Sequence, residues 1–591
     1  MDAEKMLSAI SNVSDETEFY APMPAGYKPG RTKFVFVFGT VMSGLGKGIF
    51  SSSLAKCMKD KGLTVAPIKL EGYLNIDSGT LNPYRHGEVF VLDDGMECDM
   101  DLGTYERMLD QDLSAFNFVT SGQIYTRVLE KERRGSYLGR DVQMIPHVTG
   151  EVKTRLRELA VASHADVVFV EIGGTVGDVE NLYYIEAARE MAFEEGLNSC
   201  CMVALTYILE PPTLGEQKSK AAQLGIRGLL AAGIQPNIIA CRAHKPVSRK
   251  VREKLALYSN VPINRVFSMH DCESVYLIPE ALRGAGLDIA VIDILQLGDR
   301  VDADAEAKAR DAWNRYIERL RNATEPVTIG ITGKYTSLRD SYASIIQALE
   351  HAGTAHGARV RIEWIDTSDV TDENVADKLA HVHGIIVPGG FGVRGAEGKI
   401  TCIRHARENR VPYLGICYGF QMAVIEFARN VCGLDRANST EIDPDSPHPV
   451  IDILPEQKQI EGLASATATR SIPSTSTRSN HTAWSSPAKR QTIRSCRSSS
   501  SGSPRTPISS APRPIRSSSA ARFARRRCSS ASSEPPATSP GRAPPRTSSN
   551  PAQRGACRIL ETTAGPAYPG TRRANLRTLN IPPPLAEGNY V

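Results

Sequence analysis

The chain has no uninterrupted apolar run long enough to cross a bilayer as a helix. The first thirty residues lack an apolar stretch flanked by basic residues, so no signal peptide is expected. Twelve cysteines occur, yet no Cys-x-x-Cys pair and no zinc-finger spacing. That argues against a disulfide framework or a structural zinc site and suits a reducing setting. A cytoplasmic protein without a membrane partner is the expectation. Aspartate is missing altogether after Asp452, and from Leu463 onward there is one lysine against nineteen arginines.

These last shortages divide the sequence. From Leu463 to the end, 20 basic residues face three glutamates, which leaves 50 basic and 63 acidic residues before it. An acidic body of net −13 therefore precedes a basic tail of net +17. The tail is rich in Ser, Arg, Pro and Ala and shows no period of 2 or 3.6. Such a composition cannot bury enough apolar surface to offset chain entropy, so disorder is expected over 463–591. Two readings of it stand open. One is a basic arm that binds nucleic acid. The other is out-of-frame translation of GC-rich coding DNA, which gives arginine, serine and proline in abundance.

What is present is carried by the body. Phe34 to Phe38 are all apolar and read as a buried parallel strand. Gly39 ends it, and Ser43, Gly44, Leu45, Gly46, Lys47, Gly48 and Ile49 follow, with helical spacing from Ile49 to Lys59. Strand, glycine-rich turn with lysine, then helix is how a backbone cradles a polyphosphate. The strict Walker pattern fails twice: Val41 stands where it wants glycine, and Gly48 where it wants Ser or Thr. A plain glycine turn with a surface lysine is the competing reading.

Further strands are expected over Leu63–Leu70, with Lys69 near its end, over Val167–Val170, Met202–Ile208 and Asn237–Cys241, and within His86–Gly95. Asn75–Pro83 reads as loop. Asp99 and Asp101 fall together on a loop or strand end, where Asp101 is a candidate magnesium ligand and a solvated acidic turn is the alternative. Glu171 sits where a buried strand stops and glycines open a turn, the place where doubly wound sheets bind ligands.

Five motifs in order carry a resemblance. They are Ser43–Gly48, His86–Val91, Asp101–Arg107, Glu171–Glu180 and Gln217–Gln223. The chain resembles the CTP synthase family, glutamine-dependent amidoligases that convert UTP to CTP, from about Lys33 to about Gly462. The resemblance implies that Gly44 to Ile49, with Asp101 and the segment His270, Asp271 and Cys272, hold ATP. It implies that Asp101 and Glu171 hold Mg2+, and that Lys47 and Lys69 stabilise charge as the γ-phosphoryl moves to O4 of UTP. Ser43, Lys218, Ser219, Lys220, Ala221, Ala222, Gln223 and Lys254 would meet the pyrimidine nucleotide. Asp178, Val179 and Glu180 would meet CTP as feedback inhibitor. GTP as allosteric activator and a homotetramer are further family properties.

The chain departs from the family pattern at Lys69-Leu-Glu-Gly-Tyr73, Lys218-Ser-Lys-Ala-Ala-Gln223 and His270-Asp-Cys272. Prolines and a threonine hydroxyl are lost there, which bears on pyrimidine affinity and CTP inhibition.

Ala305 to Asn322 has the spacing and charge of a linker helix. Beyond it, Val327–Tyr335 and His383–Gly392 read as strands running into turns. In Val411–Gln421, Cys417 lies between a strand and a helix, where a thiolate is favoured. Gly-x-Cys-x-Gly has the form of a nucleophile elbow. This part resembles class I glutamine amidotransferases. That implies Cys417 as nucleophile, Gly390 in an oxyanion hole, and Tyr418, Gly419, Phe420, Gln421 and Glu441 around glutamine. The family's His-Pro-Glu segment is absent, and after His448 the single histidine is His481. A nucleophilic cysteine needs a base, so impaired glutaminase activity is expected, with ammonia as the remaining nitrogen donor.

The expected architecture is thus α/β. An extension (1–30) precedes a P-loop, doubly wound parallel-sheet synthase domain (31–297). A linker helix (298–325), an incomplete α/β amidotransferase domain (326–462) and the tail (463–591) follow. Two other functions share parts of the pattern: a related P-loop amidoligase acting on another carbonyl, and a non-catalytic nucleotide-binding subunit or filament component.

Overall fold

The computed structural model describes residues 23–212 and 215–452. Residues 1–22 of the extension, the tail and His481 lie outside the described residues. Among them, strands β1 (Lys33–Gly39), β2 (Val65–Glu71), β3 (Val89–Val91), β4 (Glu97–Asp99), β5 (Phe118–Thr120), β6 (Val167–Ile172), β7 (Cys200–Tyr207), β8 (Ile238–Ala243) and β9 (Val266–His270) make up the first half. Seven of them form one sheet in the order β5-β2-β6-β1-β7-β8-β9, with every pairing parallel. β3 and β4 form a separate antiparallel pair.

β1 lies in the middle because both its faces are apolar. Phe34, Phe36 and Phe38 enter one core layer, and Val35 and Val37 enter the other. A strand buried on both faces needs helices on both sides, which is the doubly wound arrangement. Strand connections run away from β1 in opposite senses, so the crevice at its C-terminal end is where ligands of such sheets bind. Helix α1 (Lys47–Asp60) follows directly from that end.

The other helices that matter are α2 (Met100–Leu109), α3 (Lys220–Ala231) and the linker α4 (Ala303–Asn322). A second parallel sheet follows, formed by β10 (Glu325–Gly333), β11 (Ala358–Asp366), β12 (Gly384–Val387) and β13 (Tyr413–Gly415), in the order β11-β10-β12-β13. With it come α5 (Ala343–His356), α6 (Ala396–Glu408) and α7 (Tyr418–Asn430).

The structure redraws one expected strand. His86–Gly95 is a strand only over Val89–Val91, and His86 instead ends a short helix, Pro83–His86. The cause is local: Asn82 caps that turn by accepting the Tyr84 amide at 2.9 Å, and Pro83 fits the first helical position. Glu171 lies inside β6, one residue before its end. Eight of the described cysteines are not disulfide-bonded. Among the described residues no helix is long and apolar enough to cross a membrane.

Candidate active sites

The geometry of the glycine loop after β1 gives the reason for both departures from the Walker pattern. Val41 has φ 76°, the left-handed backbone that a glycine would adopt freely. The conformation is kept although the side chain is β-branched, so strain is stored at the loop. Gly48 lies against Asp101, where an added Cβ would overlap the carboxylate. A Ser or Thr there would push Asp101 out of the crevice.

Beneath the loop sits a charged cluster. Lys69 and Glu171 are in-register neighbours on β2 and β6, and Glu171 is fully buried. The Lys69 ammonium lies 2.9 Å from Glu171 and 3.3 Å from Glu71, and is also paired with Asp101. Asp101 is in the first turn of α2, whose cap is Asp99. Tyr105, on the same helix, donates its hydroxyl to Glu171 at 3.2 Å. Burial pulls the Lys69 ammonium toward neutrality, but Asp101, Glu171, Asp99 and Glu71 outweigh it and hold the charge. Burial pushes the carboxyls of Glu171 and Asp99 up to about 7. Lys47 is buried too and donates to the Gly174 carbonyl at 2.6 Å; burial, then the Lys69 charge, lowers its pKa.

Among the described residues no three His, Cys, Asp or Glu side chains converge as a metal cage. The carboxylates around Lys69 nevertheless exceed the cationic charge among them, and they are hard oxygen donors at the mouth of a phosphate loop. That donor set fits Mg2+, which takes one or two carboxylates and fills the rest of its shell with phosphate and water.

Arg242, at the end of β8, ties further sequence-predicted residues to the loop. It donates to the Leu45 carbonyl at 3.1 Å and to Asp271 at 3.2 Å, while His244 lies 3.1 Å from the other Asp271 oxygen. Asp271 is thus linked to the loop through Arg242, whose guanidinium packs against Gly46. Sequence reading missed Arg242, Tyr105, Asp99 and Glu71 as site residues. Arg242 had a usable signal, a charge at the carboxyl end of a buried parallel strand.

Lys218, Ser219 and Lys220 open α3, and Gln223 donates to Ser219 at 3.1 Å. Ala222 is buried, and Gly225 packs so closely on Thr40 of the phosphate loop that an added Cβ would lie 2.6 Å away. Ala221 follows Lys220 in the first turn. Lys218 pulls the Glu216 carboxyl down, with smaller contributions from Lys250 and Lys254, so three lysines face one patch. The segment Asp178–Asn181 folds under Gly72: an added Cβ there would meet Glu180 at 3.1 Å. The departure from proline at position 72 therefore touches the segment carrying Asp178, Val179 and Glu180. Ser43 and Gly44 are exposed at the loop's tip.

In the second half Cys417 is half-buried, with φ 51° and ψ −105°, and immediately precedes α7. This is the sharp strand-to-helix turn expected of an elbow. Gly392 donates its amide to Glu441 at 2.8 Å, and Tyr418 donates its hydroxyl to the Gly392 carbonyl at 2.7 Å. Gly390 lies in the same loop, while Gly419, Phe420 and Gln421 line the first turn of α7. Glu441 is thereby brought to the elbow from well downstream.

The described residues thus hold a glycine-rich loop over a lysine–carboxylate cluster and, separately, a cysteine at a sharp strand-to-helix turn facing a second glycine loop. The family model for the CTP synthase N-terminus matches residues 33–297, and that for class-I glutamine amidotransferase matches 337–489. The CTP synthases of Thermococcus kodakarensis and Pyrococcus furiosus are each 49% identical over 432 residues, 73% of this chain and 79% of theirs. That of Bacillus licheniformis is 46% identical over 432 residues, 73% of this chain and 80% of its own. The chain belongs to the CTP synthase family. The amidotransferase match runs past the described residues and includes His481. Membership accounts for two separate sites in one chain: a family of glutamine-hydrolysing ligases needs one site for nucleotide chemistry and another for nitrogen release.

Proposed function

We propose that this chain forms CTP from UTP, phosphorylating O4 at the expense of ATP and displacing the phosphate with ammonia. The observation that carries the reading is the Lys69 ammonium held between Asp101 and Glu171 under the phosphate loop. A uracil carbonyl oxygen is a poor leaving group; phosphorylation makes it a good one. Lys47 and Lys69 are preorganised to meet charge that grows on the transferring phosphoryl group. Asp101 and Glu171 would hold Mg2+, which supplies Lewis-acid stabilisation of that charge. The amides at the start of α1 orient the ATP phosphates, and Arg242 with His270–Cys272 borders the base. Lys218, Lys220 and Lys254, with Gln223, suit the UTP triphosphate and uracil; Asp178, Val179 and Glu180 border the place where CTP would inhibit.

At the second site Cys417 would attack the glutamine amide, with Gly390 and the Tyr418 amide stabilising the oxyanion and Glu441 helping to seat glutamine. The missing His-Pro-Glu segment points to weak glutamine hydrolysis. Free ammonia is then the effective donor. GTP activation, CTP inhibition, a homotetramer and a cytoplasmic setting go with this reading.

The test is CTP formation by the purified full chain with UTP, ATP and magnesium, supplied with ammonium chloride or glutamine. The expected result is turnover with ammonium and little with glutamine. Full glutamine-driven turnover would overturn the impairment, and no turnover with either donor would overturn the synthase reading.

A further inference from the structure

Two lysines are buried beneath the glycine loop of the cysteine site, and neither belongs to the sequence pattern. Lys399, on α6, is 0% exposed, and Lys334, just after β10, is 6% exposed. Both donate to loop carbonyls: Lys399 to Pro388 at 3.4 Å, Lys334 to Phe391. The Lys399 ammonium lies over the Tyr418 ring, 5.0 Å from its centre, and an added Cβ on Gly390 would be 3.6 Å from it. A buried ammonium with one long hydrogen bond and a ring face is under-compensated. The ammonium thus lies between the Pro388–Gly392 loop and the ring of Tyr418, the residue that follows Cys417.

We propose that Lys399 is a positioning residue for Cys417, holding the Pro388–Gly392 loop by its carbonyl and favouring the Cys417 thiolate. The inference rests on the amidotransferase reading of this site. Burial, then the Lys334 charge, pulls the Lys399 ammonium down to about 7, and the Cys417 thiol opposes that, with a smaller push from Cys402 on the same helix. The coupling is mutual: a group that favours the ammonium is itself favoured as thiolate. The other charged groups at this corner are Arg394 and Glu441, which act on Lys334, and Glu397, which acts with Glu441 on Tyr418. In the reaction the thiolate forms the C–S bond, the amide C–N bond breaks, and the departing nitrogen takes the proton the thiol gave up. Water then hydrolyses the thioester to glutamate and restores the thiol.

The test is alkylation of Cys417 by iodoacetamide in the full chain, followed by peptide mass spectrometry from pH 5.5 to 9.5. No turnover is needed. The parent should show a rate midpoint below the ordinary thiol value of about 8.5. Lys399→Met should raise the midpoint by about one unit, slowing reaction at pH 7 roughly tenfold. Lys399→Arg stays charged across the range and should keep the low midpoint, with faster reaction than the parent above pH 7. An unmoved midpoint in the Met variant would overturn the proposal. Should the Met variant not fold, an Arg profile superposable on the parent's above pH 7 would do the same. If Cys417 in the parent reacts at pH 7 no faster than half-exposed Cys272, the nucleophile reading itself fails, and the inference with it.

Discussion

Lys69 carries its charge among four carboxylates, and its worth follows from what surrounds it. Removing one partner of a buried ion cluster leaves uncompensated charge, at a cost of about 3–5 kcal/mol. Lys69→Met should therefore lower the melting temperature sharply at pH 8 and much less at pH 5, where Glu171 and Asp99 take up protons instead. Melting curves at the two pH values check this. The parent has its own pH dependence. Glu171 and Asp99 are raised to about 7, above their ordinary values of 4.5 and 3.8. The folded chain thus binds more protons than the unfolded one over that interval, and stability is lost as pH rises through about 7. Magnesium with ATP should flatten the loss, because cation binding takes the deprotonated carboxylates. A melting temperature equally steep in pH with and without Mg·ATP would count against these residues as the metal site. Val41 gives the opposite kind of residue effect. Its left-handed backbone costs on the order of 1–2 kcal/mol, part of which Gly would return and part of which unfolded-state entropy would take back. Val41→Gly should be neutral to mildly stabilising in urea unfolding, with ATP affinity retained.

At the scale of elements, much of the site was legible and some of it was not, for identifiable reasons. β1, α1 and the turn between them are local: an apolar run, glycines and a helical period name them directly. Glu171 was placed by the rule that parallel sheets bind ligands at strand ends. The partnership of Lys69 with Glu171 could not be read, because it depends on β2 lying beside β6 in register, a pairing 102 residues apart in sequence. Lys399 was invisible for a related reason. In sequence it is one more charge in an amphipathic stretch, and the packing of α6 against the loop and α7 turns it inward. That burial is testable as stability. The folded Lys399 titrates at about 7 against an ordinary 10.5. The folded chain binds fewer protons across this window, so stability climbs from pH 7 to pH 10.5 and the full cost is present below 7. Lys399→Met should add stability, on the order of a few kcal/mol at pH 7, with the gain shrinking by pH 9.5. Denaturant midpoints at both pH values measure it, and a constant difference would mean that burial does not lower the Lys399 ammonium's titration in the folded chain.

For the molecule as a whole, the question is what keeps the two sites in one working body. The junction is polar and buried. Glu88, beside β3, accepts the Ser344 amide at 2.9 Å and the Ser344 hydroxyl, and its own amide donates to the Asp340 carbonyl at 2.9 Å. Tyr84 donates to the Lys334 carbonyl at 2.6 Å and stacks edge-on against Tyr335. Tyr276 meets His351 at 2.6 Å, and Trp313 of the linker donates to the Tyr276 carbonyl at 3.1 Å. Burial holds the Glu88 carboxyl above its ordinary value, with Arg107 and Ser344 pulling it back. A hydrogen bond to a charged group contributes about 1.5–3 kcal/mol, and an orphaned buried amide costs a further 1–3. Glu88→Ala removes both acceptor oxygens at once and leaves the Ser344 amide unpaired. The two sheets have separate cores, so each half can persist after the junction loosens. The expected outcome in calorimetry is one transition splitting into two, with the lower belonging to the amidotransferase half. Nucleotide binding at the phosphate loop should persist, since that site draws nothing from α5. Ammonia-driven CTP formation should survive the change for the same reason, while any residual glutamine-driven turnover should fall with the junction. An unsplit transition with intact glutamine-dependent turnover would mean that the stacked Tyr84–Tyr335 and Tyr276–His351 contacts suffice to hold the halves together without Glu88.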